Sequence, residues 1–542
     1  MRQAPAKLGL LLAILSVLGC RVEDRAVLGL WSGAVRLEGQ PTTRVYLDGP
    51  ARCLLLRHRK SDLRLRLEGT APAGTLVVRV NDADRAPRPL TTKTISTAGR
   101  FRDEIALSLA ELGDSSWISL GFDRPGVVID GLELREDRPR SRLVVLGLDG
   151  LSWRILDPLL AAGRLPHFKR MIDGGVSGAL LSERPMVSPV VWTTIATGRG
   201  HADHGIHDFF DAERRLVNST QVKTRRIWEI AGEHAAASVG VVGWFVTWPV
   251  ERVRGFMLSD RATEWRPQDH ERPQSFQPAE LQAPFEALVE ERRSRYIGEM
   301  RRFTPLPLRA DWKTALAPDD PLHARHAALD TRLLRVYLRD SSFAEAGLRL
   351  SAAFAPDLLL VYLRGSDNAQ HAFWFHRAPQ ESLTPVDDEE RRLFGGVIDG
   401  YYAWLDQTLG RFLAAQAPDT TVAIVSDHGF RSFVREKAGV KRSVAYHERE
   451  GVYVMSGPDF RRGARGPDLS VLDLAPLWLH GLGLPASRDM PGRLPLELFA
   501  SETRERQRIA SYGGHADAAV SSTSGADEAI VEQLKALGYV QE

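Results

Sequence analysis

A chain of 542 residues exceeds what one hydrophobic core sustains, so two or three domains are expected. Its 71 Lys and Arg balance 69 Asp and Glu and are interspersed with them, which leaves no concentrated positive stripe of the kind a phosphate backbone demands. Nucleic acid is not an expected partner.

The N-terminus carries Arg2 and Lys7, then an uncharged apolar run from Leu8 to Leu18, then Gly19-Cys20. That order is an export signal, and the run is too short to span a bilayer. Val17-Leu18-Gly19-Cys20 resembles a bacterial lipobox, which implies lipidation of Cys20 and anchoring to the cell envelope. An Arg after Cys20 suits sorting to the outer membrane. Only one other cysteine, Cys53, is present, so no disulfide framework is expected and Cys53 reads as a small buried hydrophobe.

From position 21 to about 140 the chain shows short alternating runs, among them Arg44 to Leu47, Leu63 to Leu67, Leu76 to Val80 and Trp117 to Leu120, separated by Gly, Pro, Asp and Asn. Period-2 alternation at this spacing predicts a β-sandwich-like accessory domain. A charged linker, Arg135 to Arg140, closes it.

The pattern then changes. Leu143 to Leu148 is a continuous apolar strand, Ile155 to Ile172 has helical spacing broken at Gly163, and further buried strands are predicted at Ser238 to Val242, Asp357 to Leu363, Thr421 to Ser426 and Val452 to Ser456. An amphipathic helix is predicted over Val397 to Phe412. Strands alternating with helices imply an α/β domain over about 141–500, built on a mostly parallel sheet covered on both faces. Positions 262–355, rich in Arg, Glu and Pro, read as a helical insertion without a clear strand. Ser511 to Glu528 is Gly/Ser/Ala-rich, and positions 501–542 read as a flexible tail with one short amphipathic helix over Ala529 to Tyr539.

In a parallel α/β sheet the site gathers at the carboxyl ends of the strands. Asp149 stands at one such end, Asp367 and His371 a few residues past another, Asp427-His428 at a third, and His447 shortly beyond. Asp-x-x-x-His on a helical turn points both side chains the same way. Three carboxylates and three imidazoles form the set expected to bind two divalent ions through oxygen and nitrogen. Ser188, followed by Pro189 and a helical pattern, reads as a helix N-cap, and a helix N-terminus also favours an alkoxide or phosphate. Lys223 and Arg225 read as a solvated face rather than phosphate contacts.

LVVLGLDG, SPVVWTTIATG followed by HADHGI, the Asp367/His371 pair, SDHG, and His447 ahead of VYVMSGP resemble, in order and spacing, the alkaline phosphatase superfamily and its type I phosphodiesterase/nucleotide pyrophosphatase branch. The resemblance covers about Arg142 to Phe499, with Asp473 to Gly492 similar to its closing strand-helix segment. It implies an alkaline-phosphatase-like fold and a metal-dependent phosphoric ester hydrolase acting on a small phosphate ester through a phosphoserine on Ser188. It also implies two zinc ions, one held by Asp149, Asp427, His428 and the Ser188 oxygen, the other by Asp367, His371 and His447. Two departures accompany it. The branch usually has Thr where Ser188 stands, and Phe209 stands where nucleotide pyrophosphatases carry an Asn that donates to phosphate. A phosphomonoesterase or phosphoethanolamine-type transferase stays open on the same scaffold, as does a catalytically inactive, lipid-anchored glycan-binding protein. A sulfatase is disfavoured, because Pro189 directly follows Ser188 where the formylglycine motif places its Pro two residues on.

Overall fold

The computed structural model describes the strands between Trp31 and Asp137 and residues 142–536, apart from 236, 265–271, 306–332, 438, 516–523 and 525–526. Cys20 lies outside the described residues. The chain divides into two compact units, Met1–Arg140 and Ser141–Glu542.

Among the described residues the first unit has ten strands in two five-stranded sheets. Every pairing within them is antiparallel. The alternating runs of the sequence fall on its strands Arg44–Leu47, Asp62–Ala71, Gly74–Asp82 and Ser115–Phe122. Cys53 lies on the strand Ala51–Leu56.

The second unit is an α/β layer structure. Its strands are β1 (Leu143–Leu148), β2 (Val176–Leu181), β3 (Val239–Val242), β4 (Gly255–Leu258), β5 (Phe276–Gln277), β6 (Leu358–Leu363), β7 (Thr421–Val425), β8 (Gly429–Lys437), β9 (Val440–Glu448), β10 (Glu450–Ser456), β11 (Ala464–Arg465) and β12 (Leu469–Ser470). Its helices are α1 (Trp153–Ala161), α2 (Pro166–Gly174), α3 (Ser188–Thr197), α4 (His201–His204), α5 (Ile227–His234), α6 (Gln282–Met300), α7 (Arg335–Phe354), α8 (Gly365–Arg377), α9 (Asp388–Phe394), α10 (Val397–Ala415), α11 (Leu474–Gly481) and α12 (Asp527–Ala536). The main sheet runs β5-β4-β3-β6-β1-β7-β10-β2-β11, with β12 also beside β2. Its centre, β4-β3-β6-β1-β7, is parallel throughout, and β5 and β10 pair antiparallel at its two sides.

Both faces of the sheet are covered, which is why its strands read as unbroken apolar runs rather than alternating ones. Val144, Leu146 and Leu148 of β1 face one core with Phe168, Tyr337 and Leu405, while Leu143 and Val145 face the other with Trp192, Trp228 and Trp478. Burying side chains of this size contributes about 1.5–3 kcal/mol each.

Several details depart from the sequence reading. The region read as a strandless insertion supplies the edge strand β5, and α7 within it is a core helix packed on β3 and β6. Asp473 to Gly492 contains α11 but no strand; the short strand β12 precedes it. The hairpin β8–β9, a separate two-stranded sheet, is an addition to the strands read from the sequence; His447 lies within β9 and, as expected, ahead of the next strand, β10.

Several described residues of the C-terminal stretch are tied to the rest of the second unit. Gly514 bridges to Thr224, the His515 amide donates to the Lys223 carbonyl at 2.9 Å, and the Tyr512 hydroxyl donates to the Pro485 carbonyl at 2.6 Å. His515 Nε2 lies 2.9 Å from Glu229 Oε1. A composition poor in apolar side chains still anchors through backbone pairing, side-chain hydrogen bonds and ion pairs. The hydrogen bond to Glu229 raises the pKa of His515. Against the upward push of burial, His515 and Arg226 hold the Glu229 carboxyl at about 2. A raised histidine stabilises fully below its ordinary value of 6.5 and loses that contribution as pH rises through its folded value. A lowered carboxyl stabilises fully above 4.5 and loses it as pH falls toward 2. The tether is therefore strongest between these limits. Hydrogen-exchange protection of residues 511–515, corrected for intrinsic rates, should fall as pH rises above neutrality, and His515→Gln should abolish that dependence.

Candidate metal centre and active site

Three neighbouring parallel strands, β6, β1 and β7, end side by side, with Leu148 in register with Leu363 and Gly147 with Val425. The residues just beyond each strand carry chemistry. Asp149 comes directly after β1, Asp427 and His428 come after β7, and a short turn after β6 starts α8, which bears Asp367 and, one turn on, His371. The last group, His447, comes from β9, directly across from Phe430 in the hairpin that continues β7.

These side chains gather into two clusters, Asp149-Asp427-His428 and Asp367-His371-His447. In the first, His428 Nε2 lies 3.3 Å from Asp149 Oδ1 and 3.5 Å from Asp427 Oδ2. In the second, Asp367 Oδ1 lies 3.4 Å from both His371 Nε2 and His447 Nε2, which are 3.0 Å from each other. The rings of His428 and His447 stack at 3.7 Å and join the clusters.

Each residue of the first cluster, and His447 of the second, is held by one atom and offers another. Asp149 Oδ2 accepts from the Tyr362 hydroxyl and from Trp192 Nε1 at 3.3 Å, leaving Oδ1 inward. Asp427 Oδ1 accepts from the Gly150 amide at 3.4 Å, leaving Oδ2. Nδ1 of His428 is engaged by the Gly429 carbonyl at 3.0 Å and Nδ1 of His447 by the Met186 carbonyl at 3.1 Å, so Nε2 of each ring is the acceptor that faces the cluster.

The donor set fits divalent cations. Asp149 Oδ1, Asp427 Oδ2 and His428 Nε2 are buried and take no hydrogen bond, an arrangement that costs several kcal/mol unless something else meets them. Donors bound at about 2.0–2.1 Å around a tetrahedral zinc stand about 3.3–3.4 Å apart, close to the separations in both clusters. The electrostatics agree. Burial, and then the charge of Asp149, push the Asp427 carboxyl well above the usual range. Against burial, Asp427 and Asp149 raise His428 to about 10. Burial and the neighbouring His428 lower His447 to about 4. Without a cation, only a proton shared among these groups relieves buried carboxylates; a divalent ion supplies the missing charge.

Ser188 opens α3, buried at 3% exposure. It is the first helical residue rather than the cap: Val187 has extended backbone, and its carbonyl accepts from Val190 and Val191. Pro189 takes the second helical position, which tolerates a missing N–H as well as the first does. Among the described residues no hydrogen bond holds the Ser188 hydroxyl. α3 is tied to both clusters, through Met186 to His447 before Ser188 and through Trp192 to Asp149 after it.

Supporting residues escaped the sequence reading. The Asp340 carboxylate of α7, fully buried, accepts from the amides of Arg364 and Gly365 at 3.2 and 2.8 Å and from the Tyr401 hydroxyl at 2.9 Å, so it caps the helix that presents Asp367 and His371. Ser366 and Gln370 of α8 donate to the carbonyls of Asp149 and Gly150, both at 2.6 Å. Gly150 has φ +69°, and a Cβ there would stand 3.0 Å from Asp367 Cβ, so glycine is required both by conformation and by the approach of α8. Tyr362 and Trp192 sit in apolar runs, and only the polar tip of a buried aromatic hinted at a partner. Phe209, by contrast, packs in an apolar cluster with Leu216 and Leu534. Arg225 pairs with Glu233 and Lys223 holds the C-terminal stretch through its backbone.

A parallel sheet with two carboxylate–imidazole clusters and a serine-led helix at its strand ends defines a member of the alkaline phosphatase superfamily. The model of the type I phosphodiesterase / nucleotide pyrophosphatase family matches residues 143–470, more than half of the chain, and the chain belongs to that family. It is a hydrolase acting on phosphoric ester bonds. No curated protein matches it. Among solved structures it is similar to human ectonucleotide pyrophosphatase / phosphodiesterase 5, with 13% identity over 67% of this chain and 100% of that one at a TM-score of 0.40. It is similar also to the phosphonate monoester hydrolase from Silicibacter pomeroyi, 15% identical over 65% and 75% at 0.37, and to phosphonoacetate hydrolase from Sinorhizobium meliloti, 17% identical over 56% and 59% at 0.32.

Tyr362→Phe removes one of two hydrogen bonds orienting Asp149 without changing shape. It should lower divalent-cation affinity about 10–100-fold, measured by competition with a chelator, while the melting temperature shifts little.

Proposed function

We propose that the protein is a two-metal phosphodiesterase in which Ser188 is the nucleophile. The observation that carries this reading is the pair of inward-facing donor sets at 3.0–3.5 Å, with the first turn of α3 tied to both. Asp149, Asp427 and His428, with the Ser188 oxygen, would hold one divalent cation and Asp367, His371 and His447 the other; three imidazoles favour zinc over magnesium. When bound, the cations supply positive charge to the phosphoryl oxygens and acidify a coordinated hydroxyl.

Ser188 Oγ gives up its proton to solvent and attacks phosphorus in line, so that an Oγ–P bond forms and the P–O bond to the leaving alcohol breaks; the departing oxygen takes up a proton. The positive end of the α3 dipole stabilises the charge gathering on the phosphoryl group. Water then attacks the seryl phosphoester, which still carries the substrate's second ester group; the P–Oγ bond breaks, Ser188 Oγ takes back a proton and the phosphomonoester leaves. Tyr362 and Trp192 keep Asp149 from swinging away as charge shifts, and Asp340 does the same for α8.

Ser188→Ala should leave stability within about 0.5 kcal/mol, since the hydroxyl caps nothing, and should cut turnover by orders of magnitude. Acid quenching and mass spectrometry should find phosphate on Ser188. Phosphate on another residue, or full turnover in the alanine variant, would overturn the assignment. Chelation should abolish activity and zinc should restore it better than magnesium.

The short apolar run ending in Val-Leu-Gly-Cys supports export and lipidation at Cys20, which would hold the enzyme on the bacterial cell envelope. Cys20→Ser should move it from the membrane to the soluble envelope fraction. Retention of the variant on the membrane with unchanged processing would refute the anchor.

A further inference from the structure

We infer that the C-terminal helix α12, outside the family-matched segment, completes a small apolar subsite beside Ser188 and selects phosphoesters that carry a compact apolar organic group. This rests on the phosphohydrolase reading above and specifies its substrate.

A cavity of about 50 Å³ lies against Pro189, the residue after the nucleophile. Phe209 and Phe245 form its aromatic side, and Ile530 and Leu534 of α12 supply another wall. Val187, the residue before the nucleophile, packs in the same cluster as Phe209, Val531 and Leu534. Both chain neighbours of Ser188 therefore belong to the lining of one apolar region, and α12 borders it.

α12 is anchored rather than trailing. The Arg261 guanidinium, 3% exposed, donates to the Ser524 hydroxyl at 2.7 Å, to the Asp527 carboxylate and, at 3.0 Å, to the Val217 carbonyl, with the Trp248 ring 4.5 Å away. A buried cation with three acceptors, two of them at the start of α12, ties that helix to the wall it completes. Ile530 also packs on buried Trp248.

The chemistry of the lining selects its occupant. The polar groups at its margin are already engaged: Asp260 accepts from the amides of Val246 and Thr247 at 3.1 and 3.3 Å, and Arg364 pairs with Glu264 at 3.1 Å. Eight of its eleven residues are apolar. An apolar cavity that takes up benzene encloses about 150 Å³, so this one admits a short alkyl group and neither an aromatic ring nor a nucleoside, whose polar edges it would also strip of partners. Phe209, where the resemblance led one to look for a phosphate-binding Asn, is part of that wall.

The test uses the metal-loaded full chain and p-nitrophenyl phosphodiesters whose second ester is methyl, butyl, phenyl, naphthyl or nucleosidyl, with release of p-nitrophenolate as the readout. The wild type should peak in kcat/KM at methyl or butyl. Leu534→Ala should raise the phenyl-to-methyl ratio about tenfold, the usual worth of a few methylenes in a pocket, and Ile530→Trp should lower the butyl-to-methyl ratio. Binding of butylphosphonate, monitored by calorimetry, should weaken in Ile530→Trp without change in melting temperature. Hydrolysis whose size preference ignores Leu534 and Ile530 would overturn this inference alone. Failure of the wild type to hydrolyse any ester would overturn the catalytic reading, and the inference with it.

Discussion

Asp149 and Asp427 close two adjacent parallel strands, which forces two carboxylates into a dry space a few ångström across, with only His428 between them. Carboxylates in that position repel and are poorly solvated, so the surrounding architecture either neutralises them or pins them in place. It does the second with neutral donors: a phenol and an indole on Asp149, a backbone amide on Asp427. Neutral donors leave the charge undiminished for a cation to meet. An arginine in place of Tyr362 would have made the site more stable when empty and less able to bind metal.

The second cluster depends on an equally close approach of backbone. α8 must lie close enough to the β1 turn for Asp367 to reach its place, and it gets there by two side-chain bonds to the carbonyls of Asp149 and Gly150, a glycine with no Cβ in the way, and a cap from Asp340. That cap comes from α7, in a stretch whose composition suggested a helical insertion. Its hydrophobic face packs on β3 and β6, so the helix is both a crossover in the α/β layer and a brace for the site.

What could be read from the residues alone depends on where each is buried. β1, β6 and β7 are covered on both faces, so their six- or five-residue apolar runs stood out, and the acids after them fell where a parallel sheet gathers its ligands. Gly163 marked the break between α1 and α2 for the same local reason. The hairpin β8–β9 was hidden because its outer part is exposed: Arg435, Arg442 and Phe433 there need no alternation, and only its base, through Phe430 and His447, reaches the core and the site. Ser188 was placed one position early, since Pro at the first and second helical positions is locally equivalent and only the backbone of Val187 decides between them. The docking of α12 was invisible, because amphipathicity announces a buried face but not its partner, and Phe209 and Trp248 lie far upstream. Asp340 was hidden likewise, being one acid in a helix full of charges.

The position of β1 bears on how the protein is made. It is the central strand of the sheet and the first of it to be synthesised, yet its neighbours arrive late: Tyr362 lies 213 residues beyond Asp149, and Asp427 lies 277 beyond Gly150. Contacts so distant in sequence must overcome a large loop-closure entropy before any pairing stabilises them, and they cannot form during early elongation. The nascent α/β unit therefore emerges with β1, its central strand, unpaired until β6 has left the ribosome and with one edge open until β7 follows, an interval in which apolar surface is exposed. For the export route proposed above, that delay keeps the catalytic unit from closing up before it crosses.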